Sequence, residues 1–391
     1  MKIVVIGTRG IPEIQGGVET HCQELYPRIA AMGHDVTVIR RKPYVNSENR
    51  MHTYKGVWLA DLYAPRKKSL EAIVHTTLAV IKARTMNPDI LHLHAVGPAL
   101  MVPLARLLGM KVVMTNHGPD YERQKWGRAA KAVIKLGERL GTRYSNRIIV
   151  ISKVISSILA NNYGRHDSTL IYNGVNTPEP AKDTGCINAL GLSGGDYILA
   201  MGRFVKEKGF DDLINAYKML PAEIRSRFKL VIAGNADHAD RYSDSLQKLG
   251  NETEGVIMPG FVRGEARHQL LSHAALFAMP SYHEGLPIAL LEALSYHLDV
   301  AVSNIPANCI DPLCRFSDFY QVGDIEGLAS LINKKLSDTD AGKPARRNYN
   351  LAPYNWDNIA ASTVELYRTL LQVWRMRFNS NSVKNSPDYV K

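Results

Sequence analysis

The sequence predicts an α/β protein of two doubly wound Rossmann-like domains facing across a cleft, and three observations carry that expectation. Short apolar runs alternate with helical patterns almost from end to end, the alternation restarts after a turn-rich stretch at mid-chain, and 391 residues exceed what one hydrophobic core usually serves. In the first half, residues 3–6 read as a strand, 19–32 as a helix and 36–39 as the next strand, followed by runs at 90–94, 111–115, 147–151 and 169–172. Helical stretches separate these runs, so a parallel sheet is expected. After the Gly-, Pro-, Asn- and Asp-containing stretch 173–195, a second set follows at 197–201, 229–233, 256–258, 276–279 and 300–302. The boundaries that result are 1–175 for the first domain and 176–378 for the second, with the last helix expected to cross back to the first domain. Residues 379–391 are rich in Asn, Ser and Lys without periodicity and are expected to fray.

Hydrophobic content of 45% and charged content of 22% belong to a globular protein, and no stretch is long and apolar enough for a membrane span. The first residues read as a strand and not as a secretion signal. Four cysteines, Cys22, Cys186, Cys309 and Cys314, lie at spacings that suit neither a metal nor a disulfide framework, so free thiols in a reducing cytoplasm are expected.

Charge is unevenly placed: residues 1–180 hold 25 basic against 13 acidic side chains, and the remainder 23 against 24. Arg123, Lys125, Arg128, Lys131, Lys135, Arg139, Arg143 and Arg147 surround Trp126, Val133, Ile134, Leu136 and Leu140. A basic amphipathic helix suits an anionic membrane surface, where each basic side chain is worth about 1 kcal/mol; the alternative is a solvated helix face. No nucleic-acid recognition module is visible, and no nucleic-acid partner is expected.

Ligands of doubly wound sheets bind beyond the carboxyl ends of the strands, and three strand-to-helix loops carry suitable chemistry. The loop Gly7–Thr20 contains Gly16 and Gly17, whose small size admits a phosphate, but G-x-G-x-x-G does not fit and a nicotinamide site is not indicated. Gly202–Leu213 carries Arg203 and Lys208, which can converge on a diphosphate and stabilise the charge of a departing phosphate oxygen without a metal. Glu284-Gly285-Leu286-Pro287-Ile288 opens a helix with Glu292 inside it; Pro287 suits the first helical position, the free amides attract phosphate, and the carboxylates can accept hydrogen bonds from sugar hydroxyls. The set reads as a nucleotide-sugar site.

His117, at the end of a first-domain strand, either bonds a sugar hydroxyl, assists proton movement or caps a turn. His92 and His94 share one strand face, but no ligand cluster accompanies them in the sequence, and Asp338-Thr339-Asp340 lies in a polar linker. No metal is expected.

In this order Gly16-Gly17-Val18-Glu19, His117-Gly118, Ile151-Ser152-Lys153, Tyr172-Asn173-Gly174-Val175, Gly202-Arg203 with Lys208-Gly209, Gly260-Phe261-Val262 and the pair Glu284 and Glu292 resemble retaining glycosyltransferases of family 4, which have the GT-B fold. Gly7-Thr8-Arg9-Gly10-Ile11-Pro12, Tyr54-Lys55-Gly56-Val57 and Lys125-Trp126-Gly127-Arg128 resemble a bacterial rhamnosyltransferase-like subgroup. The resemblance implies that Arg203 and Lys208 grip the diphosphate, Glu292 the ribose, and Glu284 with the Gly285–Ile288 backbone the donor sugar. It further implies that the loop 260–263, with Val262 and Arg263, takes the base, and that His117 and Gly17 approach the reacting sugar. One departure stands out, because Tyr296-His297-Leu298-Asp299-Val300 replaces a usual Gly-x-Pro-Val, and Cys309-Ile310-Asp311 follows where an acidic residue usually comes sooner.

The expectation is a metal-independent glycosyltransferase of the cytoplasmic membrane face, moving a sugar from a nucleotide donor to a lipid-linked or oligosaccharide acceptor in surface-polysaccharide assembly. The alternatives are a non-catalytic binding subunit of the same fold, a soluble transferase, or a nucleotide-sugar epimerase.

Overall fold

The computed structural model describes residues 1–66, 70–122, 127–236, 239–313, 318–337 and 346–384. Its first sheet contains β1 (Lys2–Ile6), β2 (Asp35–Arg41), β3 (Thr53–Tyr54), β4 (Val57–Leu62), β5 (Ile90–His94), β6 (Val112–Asn116), β7 (Arg147–Val150) and β8 (Thr169–Leu170), in the order β3-β4-β2-β1-β5-β6-β7-β8. The second contains β9 (Tyr197–Met201), β10 (Lys229–Ala233), β11 (Val256–Gly260), β12 (Leu276–Met279), β13 (Val300–Ser303) and β14 (Phe319–Tyr320), in the order β11-β10-β9-β12-β13-β14. All pairs are parallel except the hairpin β3–β4. The two doubly wound domains expected from the sequence are therefore present.

The central strands read as continuous apolar runs because both faces are covered by helices, as in Ile3, Val4, Val5 and Ile6, all fully buried. The strand order reverses between β1 and β5 and again between β9 and β12, which places a ligand crevice at each of these points.

Three strands escaped sequence reading. β3 and β4 join through Lys55 and Gly56, both at positive φ (44° and 82°), the conformation of a two-residue hairpin turn. β14 is two residues long. The departure at 296–300 has a structural cause. His297 ends the helix Ile288–Ser295 at φ 60°, where a glycine would be unstrained, and its ring lies 3.1 Å from the Arg347 carbonyl. Asp299 faces away from the cleft: Lys335 Nζ lies 2.8 Å from it and 2.5 Å from Asp318, and Arg347 reaches both carboxylates.

The helix Trp356–Lys384 leaves the second domain and lays Trp356, Ile359, Val364, Tyr367 and Leu370 into the first-domain core. Farther along it, Trp374 packs under Arg106 and Lys111. The helix continues to Lys384, past the start of the segment expected to fray, and the rest of that segment lies outside the described residues. So do Arg123–Trp126, Cys314 and Asp338–Asp340. Cys22 and Cys186 are free thiols, and no helix among the described residues is long and apolar enough to cross a membrane.

Candidate functional site

Loops from the carboxyl ends of both sheets enclose a cleft of about 1160 Å³ between the domains. Every candidate named from the sequence lines it: Gly16, Gly17 and His117 from the first domain, and Arg203, Lys208, Val262, Arg263, Glu284, Gly285, Leu286, Pro287, Ile288 and Glu292 from the second.

The first loop is shaped around Glu19. Its carboxylate accepts hydrogen bonds from Thr8 Oγ1 (3.2 Å) and the Arg9 amide (3.0 Å), and a Cβ on Gly16 would lie 2.0 Å from its other oxygen. Gly16 is thus required by the fold of the loop, whereas Gly17, first residue of the helix Gly17–Ala31, faces open space. A ligand can reach that amide without meeting a side chain.

On the opposite wall Lys208 Nζ lies 2.5 Å from Glu284 Oε1, which also accepts from Ser281 Oγ at 2.7 Å. Both side chains are largely buried, at 17% and 12% exposure, so their charges act through little water. Pro287 caps the helix Ile288–Ser295 instead of starting it, because its ψ of 111° is extended. Ile288 and Ala289, which follow it, line the cleft, and Glu292 stands in the second turn.

Sequence reading left Glu292 without a protein partner, yet Arg267 makes a direct ion pair with it. That pair orients the carboxylate, and it raises the guanidinium above its usual range. Nothing in the spacing of Arg267 and Glu292 signals it, since they stand 25 positions apart with a strand between them. Arg263 crosses the cleft to Glu48 at 2.8 Å, and Tyr296, part of the sequence departure, lines the cleft and bonds His268 Nδ1 through its hydroxyl at 2.7 Å.

The domains meet backbone to backbone. A Cβ on Gly285 would lie 2.1 Å from the His117 carbonyl, and one on Gly118 would lie 3.3 Å from the Gly285 Cα. Gly285→Ala is expected to hold the two loops apart and cut turnover roughly 10²-fold, the usual cost of an ångström of misplacement, with little change in melting temperature. Steady-state kinetics beside a thermal melt checks this; unchanged turnover would mean that the contact is incidental.

The sequence reading found no ligand cluster near His94, and the fold corrects it. His21, from the helix Gly17–Ala31, joins His94 and His117, each offering a ring nitrogen within 4.8 Å of the others. His94 Nδ1 lies 2.9 Å from His117 Nε2, Tyr26 bonds His94 Nε2, and behind it Tyr26 and Tyr367 hydroxyls meet His92 Nδ1 at 2.8 and 2.5 Å. Burial is the first cause that lowers all four imidazoles, with His21, His92 and His117 at about 3, so they stay neutral at physiological pH.

Between about 3 and the ordinary 6.5 the unfolded chain binds more protons at these sites than the folded one, so stability is lost as pH falls through that window. Melting temperature is expected to drop steeply from pH 6.5 downward. A flat profile to pH 4 would contradict the buried, neutral state.

The helix Arg128–Tyr144 packs through Gly137 and Gly141, at which a Cβ would strike the Val96 carbonyl (2.3 Å) and Met114 Sδ (2.5 Å), and through buried Glu138. Its outer face exposes Val133, Leu136 and Tyr144 among Arg128, Lys135, Arg139 and Arg143. Arg128, Val133 and Ile134 also border the cleft. Arg147, grouped with this basic face in the sequence, instead begins β7.

Comparison with known proteins gives two family models, Glycosyltransferase Family 4 over residues 15–179 and Glycosyl transferases group 1 over residues 188–350. The chain is 25% identical to an uncharacterized glycosyltransferase of Methanocaldococcus jannaschii over 95% of this chain and 99% of that protein. It is 26% identical to O-antigen chain mannosyltransferase B of Escherichia coli over 49% of this chain and 50% of that protein. Among solved structures, sucrose-phosphate synthase of Thermosynechococcus elongatus superposes with a TM-score of 0.79 at 20% identity, over 95% of this chain and 99% of that one.

Proposed function

The chain is a glycosyltransferase of the GT-B fold, and from that premise we propose that it moves a sugar, with retention of configuration, from a nucleoside-diphosphate donor to a lipid-linked saccharide in bacterial surface-polysaccharide assembly. The observation that carries the donor half is the Lys208–Glu284 pair, which sets a cation and a carboxylate side by side near the start of the helix Ile288–Ser295, an arrangement that suits a diphosphate with a sugar ring beside it. Lys208 and Arg203 take up the charge of the departing diphosphate, so no metal is needed for that step. Glu284 and the 285–288 backbone hold the sugar, Glu292 under the control of Arg267 holds the ribose, and Val262 and Arg263 flank the base.

The acceptor hydroxyl attacks C1 from the face the diphosphate leaves. The C1–O bond to phosphate breaks as the new C1–O bond forms, and the hydroxyl proton passes to the diphosphate oxygen. His117 reaches the reacting sugar from the first domain and orients its hydroxyls.

The acceptor half rests on the outer face of the helix Arg128–Tyr144, whose exposed apolar and basic side chains run to the cleft border. That composition suits the anionic inner face of the cytoplasmic membrane, from which a lipid-linked acceptor extends. The O-antigen mannosyltransferase relative and the likeness to a rhamnosyltransferase-like subgroup favour the polysaccharide context.

A thermal-shift screen against UDP, GDP and TDP sugars, with and without EDTA, tests the donor half. A ligand at 100 times its dissociation constant adds about 2.7 kcal/mol, so a selective, EDTA-insensitive shift is expected, and no shift with any donor would overturn it. For the acceptor half, flotation with anionic liposomes should weaken as salt rises; binding indifferent to lipid charge would refute the basic face.

A further inference from the structure

We propose that His21, His94 and His117 form a binding site for a borderline divalent transition-metal ion of the zinc class, on the first-domain wall of the cleft. The donor set is three imidazoles with no carboxylate, which suits zinc, nickel or copper and disfavours magnesium and calcium. Three elements bring it together: the helix Gly17–Ala31 supplies His21, the last residue of β5 is His94, and His117 follows β6.

The outer hydrogen bonds decide which nitrogens face inward. Asn173 Nδ2 donates to the Leu286 carbonyl at 2.9 Å, so its Oδ1 is the atom 3.0 Å from His21 Nδ1, and His21 must donate from Nδ1. Its Nε2 then carries a lone pair. His94 has its Nε2 engaged by the Tyr26 hydroxyl, which leaves Nδ1 turned toward His117. A ligating histidine ordinarily gives its second nitrogen to a carbonyl, carboxylate or hydroxyl that fixes the ring, and both buried histidines already have such partners. His21 and His94 are closed off from solvent, while half-buried His117 stands on the cleft wall and leaves the fourth position open to the cleft, as in three-ligand zinc sites.

The site lies on the other domain from Arg203 and Lys208, so an ion there does not replace the diphosphate cations. It occupies the imidazole that would otherwise meet the sugar, and loading is expected to inhibit transfer. The inference does not depend on the identity of donor or acceptor, because the readout is binding.

The test uses the full chain free of any polyhistidine tag. Equilibrium dialysis against Zn²⁺ with metal analysis should show one retained equivalent, and Co²⁺ loading should give the intense visible absorption of tetrahedral nitrogen ligation. His21→Gln should weaken Zn²⁺ binding at least 10²-fold, and Asn173→Ala, which removes the hydrogen bond to His21 and the one to the Leu286 carbonyl but no ligand, roughly 10- to 100-fold. Melts of both variants show that they are folded. Uptake below one equivalent, affinity unchanged in folded His21→Gln, or the pale spectrum of octahedral Co²⁺ would overturn the proposal.

Discussion

Replacing Lys208 with Ala is expected to lower turnover by about 10²–10³-fold, the range found when one fixed group facing developing charge is removed. The interaction matters more in the transition state than in the ground state, since the negative charge on the leaving diphosphate grows as the sugar bond breaks, so kcat should fall more than donor affinity. A second effect adds to the first. Without the ammonium, Glu284 loses a cation in direct contact with it, and its carboxylate, at 12% exposure, repels the diphosphate more strongly. Lys208→Arg retains the charge but not the point geometry, and should recover part of the loss. Single-turnover kinetics with donor titration separates the two effects; near-normal turnover in Lys208→Ala would sink the diphosphate role.

Lys335→Met should do the reverse, costing about 3–5 kcal/mol of stability with turnover at saturating donor unchanged. Lys335 is buried beside Asp299 and Asp318, with side-chain exposures of 7%, 5% and 4%, and Arg347 alone cannot balance both carboxylates in its absence. The cost comes from unpaired buried charge. Converting Asp299 and Asp318 to Asn in the Lys335→Met background should therefore return part of the stability, because the buried carboxylate charges are gone and the one charge left, on Arg347, is partly exposed to water. Denaturant midpoints for the single and triple variants check this, and a single variant as stable as the parent would show that water reaches the carboxylates.

The contrast between these two lysines shows where sequence reading succeeds. Lys208 stands in a glycine-bounded loop between a strand and a helix, a position whose chemistry is local, and the strands themselves were legible because doubly covered strands are apolar throughout. Lys335 sits on an ordinary amphipathic helix, and its two carboxylates lie 17 and 36 residues away. His21 was hidden for the same reason: nothing on its helix marks it, and its partner His94 comes from a different element. Asp299 was visible as a departure from the usual pattern, but its meaning depended on Arg347, nearly 50 residues on. The hairpin β3–β4 escaped because Lys55 carries the positive φ that Asn or Gly would have announced.

The returning helix Trp356–Lys384 has a consequence for how the chain is made. During synthesis the first domain emerges early, but the layer that completes its core, with Tyr367 bonded to His92 across 275 residues, is translated only after the whole second domain. Until then the apolar surface that this helix covers stays exposed. A fragment ending near residue 175 should therefore be aggregation-prone, and the two halves should be obtained only by coexpressing pieces that clasp each other.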